Sequence, residues 1–448
     1  MIFDDGNREI PAGVEGFPER VLIVGGGMAG IAAANALSTA GVDCVVLEAR
    51  DRIGGRVHSV PVGGAMVDLG AAWIHHPVGN PLTRIAETLG IDRVSGEFRS
   101  EAVFFDPSSG SLIRPELDEV NGLEARFYAS LDGLIARLGA DGTVADAVEE
   151  FLGREKPASW ARSFLRTFSE AEGAAPLESM AVGSFPPSTL EYGGSGIGDF
   201  PVGGYAGIVG GLVSGFEVRM GSVVTDVVVG PGGVDVHLAN GSVESGSHVL
   251  VTVPLGVLQA GSIRFDPPLP ESKASAIERL GYGRFEKVVL AFDEPVGVGK
   301  PHLYPMGREE FRLVLAMERF TGRPVVVSTA FGSAADVILG RDEPAVVDHL
   351  LGHILKAWGP VPDPVEVTRS RWALDPFSRG AYTYVPPGAT RADLELLGAP
   401  VTGRLMFAGE ATGSERTGYL DGAFSTAIRE AKRLLGRPEV ELTVGRGD

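Results

Sequence analysis

Gly25, Gly27 and Gly30 stand in the segment GGGMAG, and Glu48 follows 23 residues after the first of them. That spacing suits an anion held against bare backbone. Gly25 permits a tight turn, Gly27 lets a pyrophosphate approach the chain, and Gly30 lets a helix pack close to a strand. Glu48 is then placed to accept hydrogen bonds from a ribose and to repel a 2′-phosphate, which disfavours NADP. Arg50, Arg52 and Arg56 in EARDRIGGRV add guanidinium forks suited to phosphates, with surface pairing to Asp51 as the alternative. Toward the other end, Gly409 and Glu410 close the run RLMFAGE. Two more groups carry acid–base chemistry. Lys287 precedes five apolar residues in RFEKVVLAF, where burial statistics favour a solvated strand end. His75 in WIHH titrates near neutrality and suits either proton transfer or a satisfied place in a loop. No metal site is expected, with one cysteine and no ligand set recognised among eight histidines.

These residues need particular elements to hold them. RVLIV (20–24) is a β-branched run that breaks into the glycines and then into the alanine-rich helical pattern IAAANALSTAG, and DCVVLEA (43–49) completes a βαβ unit. The order of strand, glycine turn, helix and acidic residue is more specific than the glycines alone. RLMFAGEATG (404–413) is a second short buried strand, followed by GAFSTAIREAKRLLG (422–436), an amphipathic helix with Ala423, Ile428, Ala431, Leu434 and Leu435 on one side. A nicotinamide enzyme usually completes its site within contiguous sequence. Two such units at opposite ends of the chain are better explained by one cofactor gripped from both, which points to a flavin.

Composition narrows the partners. Glycine supplies 63 of 448 residues, twice the usual share of about 7 %. A length of 448 residues with 44 % hydrophobic and 22 % charged content fits an ordinary globular chain of two or three domains. The 39 basic and 58 acidic residues leave a net charge of −19, which repels a phosphate backbone and disfavours nucleic acid while attracting polycations. Cys44 is the single cysteine, so no intrachain disulfide can form, and the first nineteen residues show neither a basic start nor a long apolar stretch. A reducing, cytoplasmic setting is expected. Apolar runs fall far short of the ~20 residues of a spanning helix, so no membrane span is expected.

RVLIVGGGMAGIAAANAL, LEARDRIGGR, VDLGAAWIH, DPFSRGAYTY and FAGEATGSERTGYLDGAFSTAIREA together resemble the flavin-dependent amine oxidases, the family of monoamine oxidases, polyamine and spermine oxidases and histone lysine demethylases. The resemblance runs in the family's order from about residue 20 to 436, and VDLGAAWIHHPVGNP is most similar to the polyamine and spermine oxidase branch. It implies FAD, and hydride removal from the carbon next to an amine nitrogen, with O2 as acceptor and H2O2 as product. It implies an α/β fold in which a Rossmann-like FAD-binding domain (1–78, 206–287 and 402–436) is interleaved with an α+β substrate-binding domain (79–205 and 288–401), followed by a tail (437–448) expected to fray.

Carried over by position, the family's cofactor contacts fall on the loop Gly25 to Gly30, Met28 and Ala29 included, with Glu48 on the ribose and Arg50 and Arg56 near the phosphates. Ala72 and Trp73 fall beside the flavin ring and Val224 at the adenine. Glu410, after Gly409, matches a ribityl contact, and Tyr419 and Leu420 meet the pyrimidine edge. Tyr382 and Tyr419 match the family's aromatic cage and Trp372 a tryptophan packed near the flavin; on residue type alone each reads as a core aromatic. Lys287 matches a lysine bonded through water to flavin N5, and His75 is selected over His76 by the spermine oxidase-like match. Monoamine oxidases attach their flavin through a cysteine where this chain has Ala381, so FAD is expected to be held without a thioether.

The substrate is less determined. Helical patterns fill NPLTRIAETLGI, LEARFYASLDGLIARLG and PASWARSFLRTFSEAEG, and the NG pair at 240–241 signals a hairpin. A polyamine or diamine needs a group for its distal ammonium; Glu172, Glu191 and Asp199 are candidates, and nothing singles one out. Amino-acid oxidases of the superfamily use an arginine in a block beginning LG-x-MR; this chain reads LGAAWIH there. A monoamine or L-amino-acid oxidase is thus the runner-up. Tyr382, Tyr419 and Lys287 argue against a polyene desaturase, and a non-catalytic flavin-holding interaction protein is the reading from another class.

Overall fold

The computed structural model describes the chain except residues 4–13, 97–101, 186–197, 297–298, 300–301, 308–309 and 446–448. The fold is mixed α/β, built on a parallel sheet. Arg20–Val24 is aliphatic and β-branched up to Gly25, and it forms the centre of this five-stranded sheet, ordered Glu217–Arg219, Asp43–Leu47, Arg20–Val24, His248–Val251 and Leu405–Phe407. All four pairings are parallel. A parallel sheet is covered on both faces, which explains why its strands are nearly unbroken apolar runs. The helices Met28–Thr39 and Leu420–Leu435 pack on one face. Val224, Val227, Val234 and Val236, from an antiparallel hairpin, pack on the other. Gly25, Glu48, Thr252 and Ala408 thus follow the last residues of neighbouring strands at one edge, the edge where ligands of open α/β sheets bind.

A second, seven-stranded sheet runs Glu366–Arg369, Phe285–Ala291, Val325–Phe331, Leu313–Ala316, His302–Pro305, Ala102–Phe105 and Leu112–Ile113. The division at residue 287 falls inside the strand Phe285–Ala291, which belongs whole to this sheet. Lys287 faces Thr329 across one strand pair, and Leu313 lies beyond Thr329. Helices Leu117–Leu138, Val144–Glu155 and Ser159–Gly173 share a core with Phe104 and Tyr304 of the sheet. The middle one was absent from the helical patterns read in the sequence, although Thr143 and Asp146 form a reciprocal capping box at its start. The NG hairpin turns between Gly233–Leu238 and Val243–Gly246.

Glu430 and Lys432, off the apolar side of Leu420–Leu435, are buried as well, and Glu430 accepts from Arg429 Nε at 2.6 Å and Arg433 Nε at 2.8 Å. One expectation needs correction. The segment after Gly436 is not frayed as far as Gly445. Val440–Glu441 pairs with Ile2–Phe3, Leu442 is buried, and the Asn35 side chain bonds the backbone of Thr443 through both its oxygen and its nitrogen.

Candidate functional site

One cavity of about 480 Å³ runs from the carboxyl edge of the parallel sheet to the face of the seven-stranded sheet. Its walls include Gly25, Gly27, Met28, Ala29, Glu48, Arg50, Arg56, Ala72, Trp73, His75, Val224, Lys287, Trp372, Tyr382, Gly409, Glu410, Tyr419 and Leu420. Gly30 does not line it, and its place is structural. A Cβ there would overlap the Gly25 carbonyl oxygen, and one on Gly25, at φ +108°, would lie 2.8 Å from Thr252 Oγ1. The helix Met28–Thr39 begins without a side-chain cap or an acidic residue in its first turn. Its positive end therefore has no built-in anion.

The carboxylates and arginines here are already ordered. Glu48, buried, accepts from the Gly26 N–H at 2.6 Å and the Arg50 N–H at 2.8 Å. Arg50 donates to Asp375 at 2.9 Å and Ser378 at 2.8 Å, while Arg52 donates to the backbone oxygens of Ile53 and Val57. Arg56 joins the two ends of the chain, donating to Glu410 Oε1 at 2.9 Å and to the Ala381 carbonyl at 2.5 Å. Glu410 also accepts from the Thr383 hydroxyl and the Gly418 N–H.

At the far end the polar side chains are tied to backbone. Lys287 Nζ donates to the carbonyls of Asp68 at 2.9 Å and Gly70 at 2.7 Å, which uses two of its donor positions, and it lies 5.5 Å from the Trp73 ring. Burial pulls its pKa down to about 8, with Asp68 acting the other way. Lys287 is therefore no solvated strand end; it is 3 % exposed. Trp372 Nε1 donates to the Leu69 carbonyl at 2.9 Å. Glu286, which the sequence reading passed over, is fully buried beside Lys287 and accepts from Ser370 Oγ and from the backbone of Trp372 and Ala373. A charged residue in an apolar strand was its only signal.

The two tyrosines end on neighbouring residues of one helix terminus. Tyr382 donates its hydroxyl to the Ala171 carbonyl, and Tyr419 to Glu172 at 3.0 Å. Burial, then Glu172, holds both phenols well above their ordinary pKa. His75 sits edge-on to Tyr419 at 4.9 Å. Burial, with His76 and Arg416, pulls its pKa down to about 3, so it stays neutral near pH 7 and is a weak proton acceptor. Among the three carboxylates considered for a distal ammonium, Glu172 lines the cavity. Asp199 is engaged by Arg93 at 2.6 Å and does not line it; Glu191 lies outside the described residues. His349 and His353, one turn apart on the helix Glu343–Trp358, are an HxxxH pair that the sequence reading overlooked, and His349 lies 3.4 Å from Glu310. Among the described residues no group of three or more His, Cys, Asp or Glu side chains is set to hold a metal.

Residues 28–435 match the family model described as flavin containing amine oxidoreductase. The chain belongs to that family. Its relatives include lysine-specific histone demethylase 1 homolog 2 of Arabidopsis thaliana, 31 % identical over 94 % of this chain and 59 % of that protein. Polyamine oxidase 4 of Oryza sativa subsp. japonica is 31 % identical over 93 % of this chain and 90 % of that protein, and polyamine oxidase 2 of Arabidopsis thaliana 31 % over 92 % and 87 %. The chain thus spans about three fifths of the demethylase homologue and most of each polyamine oxidase. FAD is the family's cofactor, and the site fits it: an uncapped helix end, glycines with no room for a side chain and a buried carboxylate share one elongated cavity. Cys44, the single thiol, is buried in the core between sheet and helix with its pKa pushed up to about 12 by burial and by Asp43, so no thioether to the flavin forms. No described helix is long and apolar enough to cross a membrane.

Proposed function

We propose that the protein is an FAD-dependent oxidase of a polyamine or diamine, releasing an imine that hydrolyses and passing electrons to O2 to give H2O2. FAD, when bound, supplies the acceptor for a hydride from the carbon next to the nitrogen. In this reading the loop Gly25–Gly30, Glu48, Arg50, Arg56, Val224, Gly409, Glu410 and Leu420 hold it, with Ala72 and Trp73 beside its ring. Tyr382 and Tyr419 orient the amine between their ring faces. Trp372 closes the chamber wall, and His75 positions Tyr419 by its edge contact. Lys287 has one donor position left beyond its two carbonyls and holds a water there, taking or giving a proton as the imine hydrolyses.

The observation that carries the substrate class is Glu172: of the candidate carboxylates in the described chain, it is the one on the cavity wall, and its partner is a cage tyrosine. An ammonium at the far end of a diamine meets a carboxylate there. Of the three lining arginines, Arg50 and Arg56 are tied to Asp375 and Glu410 at the cofactor end, which leaves Arg379 as the one that an amino acid's carboxylate could meet. A methylated lysine in a peptide is the second reading, favoured by the demethylase homologues. Peroxide release from putrescine, spermidine, spermine, benzylamine, amino acids and a dimethyl-lysine peptide separates these. Glu172→Gln should raise KM for putrescine by about tenfold, as for a lost charged hydrogen bond, and leave benzylamine within about twofold. Equal effects on both amines would refute the diamine reading.

A further inference from the structure

Tyr419 is bracketed by charges of opposite sign. The guanidinium carbon of Arg416 lies 4.5 Å from the ring centroid, and Glu172 meets the hydroxyl at 3.0 Å. Arg416 is buried behind the ring, outside the cavity lining, and is paired with Asp421 through contacts of 2.7 and 2.6 Å. Tyr419 precedes the helix Leu420–Leu435, so the root of the ring lies at the cofactor end, while its hydroxyl reaches the end of the helix Ser159–Gly173. A cation against one face of an aromatic ring draws on the ring's negative quadrupole and weakens the opposite face as a seat for a second cation. Glu172 has the reverse influence at the hydroxyl.

We infer that Arg416 and Glu172 sort the two nitrogens of a diamine by protonation state along Tyr419, seating the ammonium at Glu172 and the free amine at the ring. This rests on the diamine reading above. A hydride leaves only from a carbon next to a nitrogen that has its lone pair, and alkylamines in water near neutrality are mostly protonated. The reacting nitrogen therefore enters as the free base, its proton left in bulk water, and Arg416 favours that form. The other titratable groups around the ring are His75 at its edge, His76 beside His75, Tyr128, which acts on Tyr419 electrostatically, and Tyr205 near the Arg416–Asp421 pair. His75 is neutral near pH 7. Asp421 offsets Arg416 in part, and that makes the direction of the effect testable.

Two variants should move the site in opposite directions. Asp421→Asn removes the carboxylate paired with the guanidinium; the double variant Arg416→Met with Asp421→Asn removes the pair without stranding a buried carboxylate. Tetramethylammonium, a cation with no proton to lose, is titrated against the FAD-loaded protein by flavin absorbance, and the acid limb of kcat for putrescine, which reports the bound amine, is followed with pH. Asp421→Asn should weaken tetramethylammonium by about tenfold and lower the limb by about one pH unit. The double variant should tighten the cation several-fold and raise the limb, and Arg416→Lys should stay near wild type. Unchanged constants, or shifts in the same direction, in FAD-loaded variants would overturn the inference and leave the pair a packing feature. If the wild type oxidises benzylamine but no diamine, the substrate reading fails instead, and tetramethylammonium alone still decides whether Arg416 biases the ring.

Discussion

At the carboxyl edge of the parallel sheet the fit depends on atoms that are missing, whereas in the chamber on the seven-stranded sheet it depends on atoms that are tied. Gly25 and Gly30 leave no room for a Cβ, and the adjoining helix end has no side-chain cap. In the chamber, Lys287, Trp372, Tyr382 and Tyr419 each commit a polar atom to Asp68, Gly70, Leu69, Ala171 or Glu172. The first region should fail when a side chain is added, and the second when one is removed.

The largest effect expected is at Gly30. Gly30→Val drives side-chain atoms into the Gly25 carbonyl, and the purified protein should carry less than about a tenth of the wild-type flavin by absorbance, as expected when a close backbone approach is lost. A yellow, fully loaded variant would break the contrast at its stronger side. Lys287→Met comes next. It should keep its FAD yet slow flavin reduction or reoxidation by about tenfold or more in stopped flow, in the range of general acid–base contributions. The pH profile sharpens this. Burial places the Lys287 pKa near 8, so the free amine accumulates as pH rises through 8. A step that needs it should speed up across that range in the wild type and lose that limb in the variant.

Smaller again is the effect of Tyr382→Ala or Tyr419→Ala. Each should raise KM for amines by about tenfold or less, the scale of one cation–π or aromatic contact, with flavin content within about twofold of wild type. Greater loss of flavin than of amine affinity would place these rings with the cofactor. The smallest effect is at Cys44, which is buried away from the cavity. Cys44→Ser should leave turnover unchanged, and denaturing either protein should release all of the chromophore from the polypeptide.

The two regions also differ in how far the sequence discloses them. The glycine turn is contiguous with its strand and helix, so RVLIVGGGMAG can be read where it stands, and the parallel sheet follows from apolar runs bounded by glycine. The chamber joins Lys287 to carbonyls more than 200 residues away, and no local pattern encodes that contact. Glu172 could be named only with Glu191 and Asp199, because which carboxylate reaches a cavity depends on how the helix Ser159–Gly173 lies on the sheet. Asp199 was lost to Arg93 for the same reason. Arg416 gave no signal, since a guanidinium beside an aspartate five residues on reads as a surface pair until burial is known. The helix Val144–Glu155 and the HxxxH pair on Glu343–Trp358 were legible locally and were passed over.

Three successive main-chain oxygens, those of Asp68, Leu69 and Gly70, receive Lys287 and Trp372. A peptide oxygen has no protonation state to lose near neutrality, and it survives replacement of the side chain on its own residue. Genetic drift at Leu69 can therefore alter packing yet leave the acceptor for the indole in place, and the lysine and tryptophan move only if that short stretch of chain moves, carrying both together.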